Sequence, residues 1–219
     1  MTDERFPSLT LLEHPLIEHK LGLIRDRTTR PALFRQLLRE VALLMGYALT
    51  RDLALETRQV ETPMAPTRVR CLVGPVTLVS ILRAGLGMAE ALRELLPGAQ
   101  EGHIGLYRDQ ESHEPREYYV KLPDEPGRVL LVDPMLATGG SAVHAVRVLL
   151  ARGVAAEEIR FLCLIAAPEG VERFAEAFPG IPILAAALDS HLDERAYIVP
   201  GLGDAGDRQF GTEQPDPPA

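Results

Sequence analysis

Pro31 is followed by Leu33, Phe34, Leu37, Leu38, Val41, Leu44, Met45 and Leu49, apolar positions three and four apart that predict an amphipathic helix over 31 to about 54. From residue 69 the texture changes. Short β-rich runs, VRCLV, VTLVSIL, HIGLYR, EYYVKL, RVLLVD, IRFLCLIAA and PILAAAL, alternate with helical patterns over 86 to 96, 140 to 152 and 169 to 178. Several of these runs are apolar without a break, as strands buried on both faces must be. The series therefore predicts an α/β fold with a central, mostly parallel sheet flanked by helices, and a core over about 69–190. Between 101 and 126 two β-like runs are joined by a charge-dense connection, which reads as a hairpin flap. The tail EQPDPPA, 213–219, has nothing to bury and is expected to fray.

Composition narrows the class. With 219 residues and 46% hydrophobic content the chain suits one domain with a sizeable core. A net charge of −8 would repel a phosphate backbone, so nucleic acid is not an expected partner. No stretch of 18 apolar residues is free of charge, so no membrane partner is expected and the protein reads as cytoplasmic. Cys71 and Cys163 both lie in apolar segments and are expected to be small buried hydrophobes rather than a disulfide. The histidines are scattered and neither HExxH nor CxxC spacing occurs, so no metal held by the protein's own side chains is expected.

The stretch RVLLVDPMLATGGSA carries the clearest chemistry. Asp133 ends an apolar strand pattern, where open α/β sheets place their ligands. Gly139 and Gly140 then let backbone N–H groups approach an anion, Thr138 and Ser141 add hydroxyls, and a helix follows with its positive end toward the same place. This is a phosphate cradle without the lysine of a Walker loop or the spacing of a dinucleotide fingerprint. An acid just ahead of it suits a ligand with hydroxyls beside its phosphate, since a carboxylate accepts hydrogen bonds from a ribose diol. A second cluster places Arg83, Gly85 and Gly87 after another buried strand, where an arginine can clamp phosphate. A third, YIVPGLGDAGDRQFGT at 197 to 212, sets Asp204 and Asp207 among four glycines. Carboxylates there are costly to bury without partners.

Taken together, DPMLATGGS, ILRAGLGM, GLYRD and YIVPGLGDAGDRQFGT resemble the uracil phosphoribosyltransferase family, and the resemblance extends from HPLIEHKLG at 14 to 22 through AAPEG at 166 to 170. It implies a type I phosphoribosyltransferase fold with a hood, and the reaction of uracil with 5-phosphoribosyl 1-diphosphate (PRPP) to give UMP and diphosphate. By that resemblance Asp133, Pro134, Met135, Leu136, Ala137, Thr138, Gly139, Gly140 and Ser141 take the ribose hydroxyls and 5-phosphate, while Arg83 and Arg108 hold the diphosphate. Mg²⁺ would bridge the diphosphate oxygens. Tyr197, Ile198, Gly203, Asp204 and Ala205 would line the uracil pocket, with Asp204 also facing the donor as the best acidic candidate. The wider type I group usually opens its loop with two adjacent acids, whereas Pro134 follows Asp133 here, a step that the uracil branch shares. Relatives are commonly dimeric or larger and some respond to GTP as an effector, which no motif in this chain decides. Two alternatives stand beside this reading. One is a phosphoribosyltransferase for another base, such as orotate, whose carboxylate would want Arg208, the only basic residue of GLGDAGDRQFGT. The other is a non-catalytic nucleotide sensor or RNA-binding regulator on the same fold.

Overall fold

The computed structural model describes residues 2–3, 5–108 and 115–212. Its elements run β1 (Thr2–Asp3), β2 (Phe6–Leu11), α1 (Pro15–Arg25), α2 (Pro31–Leu49), β3 (Leu55–Glu61), β4 (Pro66–Leu72), β5 (Val76–Leu82), α3 (Leu86–Leu95), β6 (Gln100–Arg108), β7 (Pro115–Lys121), β8 (Arg128–Val132), β9 (Met135–Leu136), α4 (Gly140–Ala151), β10 (Ile159–Ala166), α5 (Pro168–Ala177), β11 (Ile183–Leu188), β12 (His191–Leu192), β13 (Ile198–Val199) and α6 (Ala205–Phe210). The main sheet has the order β1-β2-β11-β10-β8-β5-β6-β7, with β9 paired to β10. From β2 to β6 every neighbouring pair is parallel, and the two outer pairs, β1 with β2 and β6 with β7, are antiparallel.

The central strands are mostly apolar because both faces are covered, and the buried hydroxyls of Thr77 and Ser80 find partners in the Pro126 carbonyl and the His103 ring. Leu78, Leu130 and Leu162 pack on one side with α1, α2 and α3, whereas Val79, Leu131 and Phe161 pack on the other with α4 and α5. Each fully buried aliphatic side chain of this kind contributes roughly 1.5–3 kcal/mol. Helix α2 buries Phe34, Leu37, Leu38, Val41, Met45 and Leu49 as its spacing predicts, but Leu33 stays 43% exposed. The helix ends at Leu49 rather than near 54. The Thr50 N–H and hydroxyl both donate to the Gly46 carbonyl and close the last turn.

In three further places the structure departs from the sequence expectation. The run VRCLV does not join the main sheet: β4 pairs only with β3, as a separate two-stranded hairpin whose residues are mostly exposed. Cys71, on that hairpin, is consequently only partly buried, while Cys163 in β10 is fully buried. Burial first, and then the charge of Asp133, raise the Cys163 thiol above its ordinary value and leave it inert. The third correction is at the N-terminus, where β2 extends the parallel sheet ahead of the core expected over 69–190.

The expected flap is an antiparallel hairpin of β6 and β7, with a register shift between Gly105 and Leu106. Its tip at 109–114, the side chain of Arg108 and the tail at 213–219 lie outside the described residues.

Candidate active site

The sheet order creates a crevice. Strand β5 leads through α3 to β6 on one side, whereas β8 leads through α4 to β10 on the other, so the chain leaves neighbouring strands in opposite directions between β5 and β8. At such a switch point the loops beyond the carboxyl ends part and leave room for a ligand. Arg83 follows β5 and Asp133 follows β8. A cleft of about 390 Å³ opens there, lined on one wall by Asp133 and 135–142 and on the other by 195–198 and 203–206, with Ala84 between them. The second wall, carried by β13 and the start of α6, supplies the expected hood.

The structure thus brings together Asp133, Met135, Leu136, Ala137, Thr138, Gly139, Gly140, Ser141, Tyr197, Ile198, Gly203, Asp204 and Ala205. Pro134 lies behind the wall, where its carbonyl accepts from the Leu164 and Ile165 N–H groups and ties the loop to β10. Arg83 stands outside the cleft lining. Its Nη2 meets the Asp207 carboxylate at 3.1 Å and its guanidinium lies 5.6 Å from the Phe210 ring. Arg195, Ala196 and Gly206 also line the cleft. No spacing in the sequence marks them, because they reach it through the β12–β13 turn and the first turn of α6.

Gly139 caps α4 with φ of 74°, a conformation that side chains disfavour, and a Cβ there would come within 2.8 Å of the Gly170 carbonyl. The loop can therefore press against α5 only with glycine at this position. The first turn of α4 presents its unshared N–H groups into the cleft, and the Thr138 hydroxyl accepts from one of them, Gly140, at 3.4 Å. Such an arrangement can seat an anion by main chain rather than by lysine.

Two carboxylates face the same space. Asp133 is surrounded closely enough that burial pushes it up to about 7; the Met135 N–H pulls the other way, and the nearby Asp204 charge adds to the rise. Asp204 caps α6 by accepting from the Asp207 N–H at 2.9 Å, and its residue remains exposed. Among the described residues no three His, Cys, Asp or Glu side chains gather as a metal cage.

The 197–212 segment is held by neighbours far away in sequence. Arg208 is 6% exposed, donates to the main-chain carbonyls of Ile24, Leu202 and Asp26, and lies 4.8 Å from the Phe34 ring. It does not line the cleft, so it is not the cation that an orotate carboxylate would need. Among the described residues no helix is long and apolar enough to cross a membrane.

A family model described as uracil phosphoribosyltransferase matches residues 11–212. The chain is 57% identical to the uracil phosphoribosyltransferase of Ralstonia pickettii, over 96% of this chain and 98% of that protein. It is 59% identical to that of Rhodospirillum centenum, over 97% and 99%. Among solved structures, a protein from Aquifex aeolicus matches with a TM-score of 0.87 at 36% identity, over 92% of this chain and 97% of that one. The adenine phosphoribosyl transferase of Trypanosoma brucei matches with a TM-score of 0.56 at 14% identity, over 92% and 90%, a likeness of fold alone.

Proposed function

The chain belongs to the uracil phosphoribosyltransferase family, and from that membership we propose which of its residues carry the reaction. The enzyme transfers the 5-phosphoribosyl group of PRPP to N1 of uracil, giving UMP and diphosphate in pyrimidine salvage. The observation that carries the assignment of roles is the pairing of walls: a main-chain anion seat at 138–142 faces a glycine-rich segment at 203–206 across one cleft.

The 5-phosphate sits on the amides of the 137–141 turn at the positive end of α4. Asp133 takes the ribose diol. Arg83 and Arg108 hold the diphosphate, where they offset the charge that gathers on the leaving group as the C1–O bond lengthens. The ribose becomes oxocarbenium-like, and Asp133 and Asp204 put negative charge near it. Uracil N1 then attacks from the opposite face, with inversion at the anomeric carbon, and its N1 proton passes to Asp204 or to the departing diphosphate. Uracil offers an N3–H between two carbonyls, which main-chain groups at Ile198 and Gly203–Ala205 can match, with Tyr197 bounding the ring. Cytosine reverses that pattern and would leave buried polar groups unpaired, a penalty that can reach roughly 10⁴-fold.

Mg²⁺ would arrive on the diphosphate, neutralising its oxygens. The scarcity of carboxylates in the cleft, Asp133 and Asp204 alone among the described lining residues, suits a metal carried by substrate phosphates with one or two protein carboxylates at most. Calorimetric titration with PRPP should give one site per chain with Mg²⁺ present and much weaker binding after chelation. Equal affinity with and without the metal would refute this part of the reading.

Two further readings rest on single observations. The β3–β4 hairpin exposes Leu55, Met64, Leu72 and Val73, and a lone two-stranded hairpin is marginal in water, so a second copy of the chain covers it. A second cleft, of about 540 Å³ beside α2 and α3, is lined by Arg35, Arg39 and Arg93 but also by Glu90 and Glu101, and Arg39 and Arg93 are paired with Glu94 and Glu101. An anionic effector such as GTP would have to draw these arginines from their acids, and the buried Gln209 Oε1, which has no hydrogen-bond partner among the described residues, offers it an acceptor. The mass in solution and UMP formation with and without GTP test these two readings: a monomer, or a rate that GTP leaves unchanged, would overturn them.

A further inference from the structure

The base-binding wall has little packing of its own. Ile198, Leu202 and Ala205 are its buried apolar side chains, and the rest of 197–206 is largely glycine, proline and exposed polar residues. A wall that recognises a ring through main-chain groups must nevertheless hold those groups to within about 0.5 Å. The restraint comes from the end of α1. The Arg25 guanidinium grips the Asp189 carboxylate with both nitrogens, at 2.7 and 2.6 Å, and its Nη1 also donates to the Gly201 carbonyl at 2.7 Å. Asp189, just past β11 and with a side chain only 5% exposed, accepts in turn from the Gly201 N–H at 2.8 Å.

Both polar groups of Gly201 are therefore taken up by one ion pair. Gly201 itself cannot be replaced without strain: its φ is 58°, and a Cβ would lie 2.1 Å from the Ile198 carbonyl. Arg208 makes the companion contact, joining the Leu202 carbonyl to those of Ile24 and Asp26 on either side of Arg25. Residues 201 and 202, which lead directly into Gly203 and Asp204, are thus fastened to a helix end, with Arg25 lying 176 residues before Gly201 in the chain.

We propose that Arg25 is a positioning residue for uracil: through Asp189 and the Gly201 peptide groups it sets where the main chain of Gly203–Ala205 meets the base. It touches neither the donor seat at 137–141 nor the cleft lining. The proposal deepens the uracil-site assignment above and rests on it. Arginine is suited to the task because its planar fork binds a carboxylate with two bonds and still has a donor for a carbonyl, which lysine cannot do in one geometry.

Steady-state kinetics of Arg25→Ala and Arg25→Lys, with uracil and PRPP varied in turn, test it. For Arg25→Ala the expected result is a KM for uracil raised about tenfold or more, with the KM for PRPP within about twofold and kcat at saturating uracil within about threefold of wild type. Arg25→Lys should fall between the two, and low-millimolar guanidinium should restore part of the uracil affinity of Arg25→Ala. A residue that merely stabilised the fold would lower the active fraction and leave both KM values alone. An unchanged KM for uracil in folded Arg25→Ala, or an equal rise in the KM for PRPP, would overturn the proposal. If the alanine variant does not fold, Arg25→Lys decides on the same readings. Gly203→Val separates the two levels of the argument. If it raises the KM for uracil while the Arg25 variants do not, the clamp is wrong; if it too has no effect, the base site has been misplaced.

Discussion

Asp133→Asn should lower kcat/KM for PRPP by about 10²–10³-fold, while the variant melts later than wild type at pH 8. The loss follows from the charge. A carboxylate accepting from two ribose hydroxyls contributes roughly 1.5–3 kcal/mol per bond, and an amide supplies one weaker acceptor in its place. The gain in stability follows from the same burial. Asp133 is raised from the ordinary 3.8 to about 7, so between those values the folded protein keeps a proton that the unfolded chain has released. Stability therefore falls as pH rises through this window, and above about 7 the full cost of an ionised, enclosed carboxylate is present. That cost is roughly 4 kcal/mol at most. Asparagine does not pay it, so the variant's advantage should be absent near pH 4, grow toward pH 7 and then level off, reaching at most roughly 8–16 °C in Tm. Paired melting curves and kinetics check both halves. A variant that is less stable than wild type at pH 8, or one with wild-type kinetics, would refute the assignment. A residue that is costly to the fold and needed for binding is what a site selected for function is expected to contain.

Arg83→Ala should lower kcat by about 10²-fold or more, because the diphosphate departs without one of its cations. Its partner predicts an effect of opposite sign. Arg83 is engaged by Asp207, whose same oxygen accepts from the Thr212 hydroxyl at 2.6 Å. Diphosphate must draw the guanidinium away from that carboxylate. Both side chains are well exposed, so the pair is worth at most about 1 kcal/mol, and Asp207→Asn should tighten PRPP binding by up to about fivefold. Initial rates at varied PRPP distinguish the two. Weaker binding in Asp207→Asn would mean that the aspartate helps to seat the donor rather than competing with it.

The sheet could be read from the chain wherever burial on both faces left a nearly continuous apolar run, as in VTLVSIL, RVLLV and IRFLCLIA. Partnership could not be read. TRVRCL looks locally like another strand of the series, but its mixed polar faces suit a hairpin standing off the sheet. Helix α1 escaped because PLIEHKLGLIR buries only Ile17, Leu21 and Ile24 and is otherwise charged or exposed.

The site divides along the same line. Asp133 and the turn at 137–141 lie in one short segment after a strand, so their chemistry is local and legible. Arg83 was identifiable as a cation at a strand end, but its engagement with Asp207 spans the chain. Arg208 is the only basic residue of its loop, and its bonds to carbonyls at the end of α1 and to that of Leu202 show it to be structural. Arg25 and Asp189 share no motif at all, since the fold alone brings them together.

The most direct test is UMP formation from uracil and PRPP with Mg²⁺, run beside cytosine, orotate and hypoxanthine, in wild type and in Asp133→Asn. Nucleotide from uracil alone, suppressed at least about a hundredfold in the variant, is the predicted result. A rate with orotate or hypoxanthine equal to that with uracil, or an unimpaired variant, would contradict the account of this cleft.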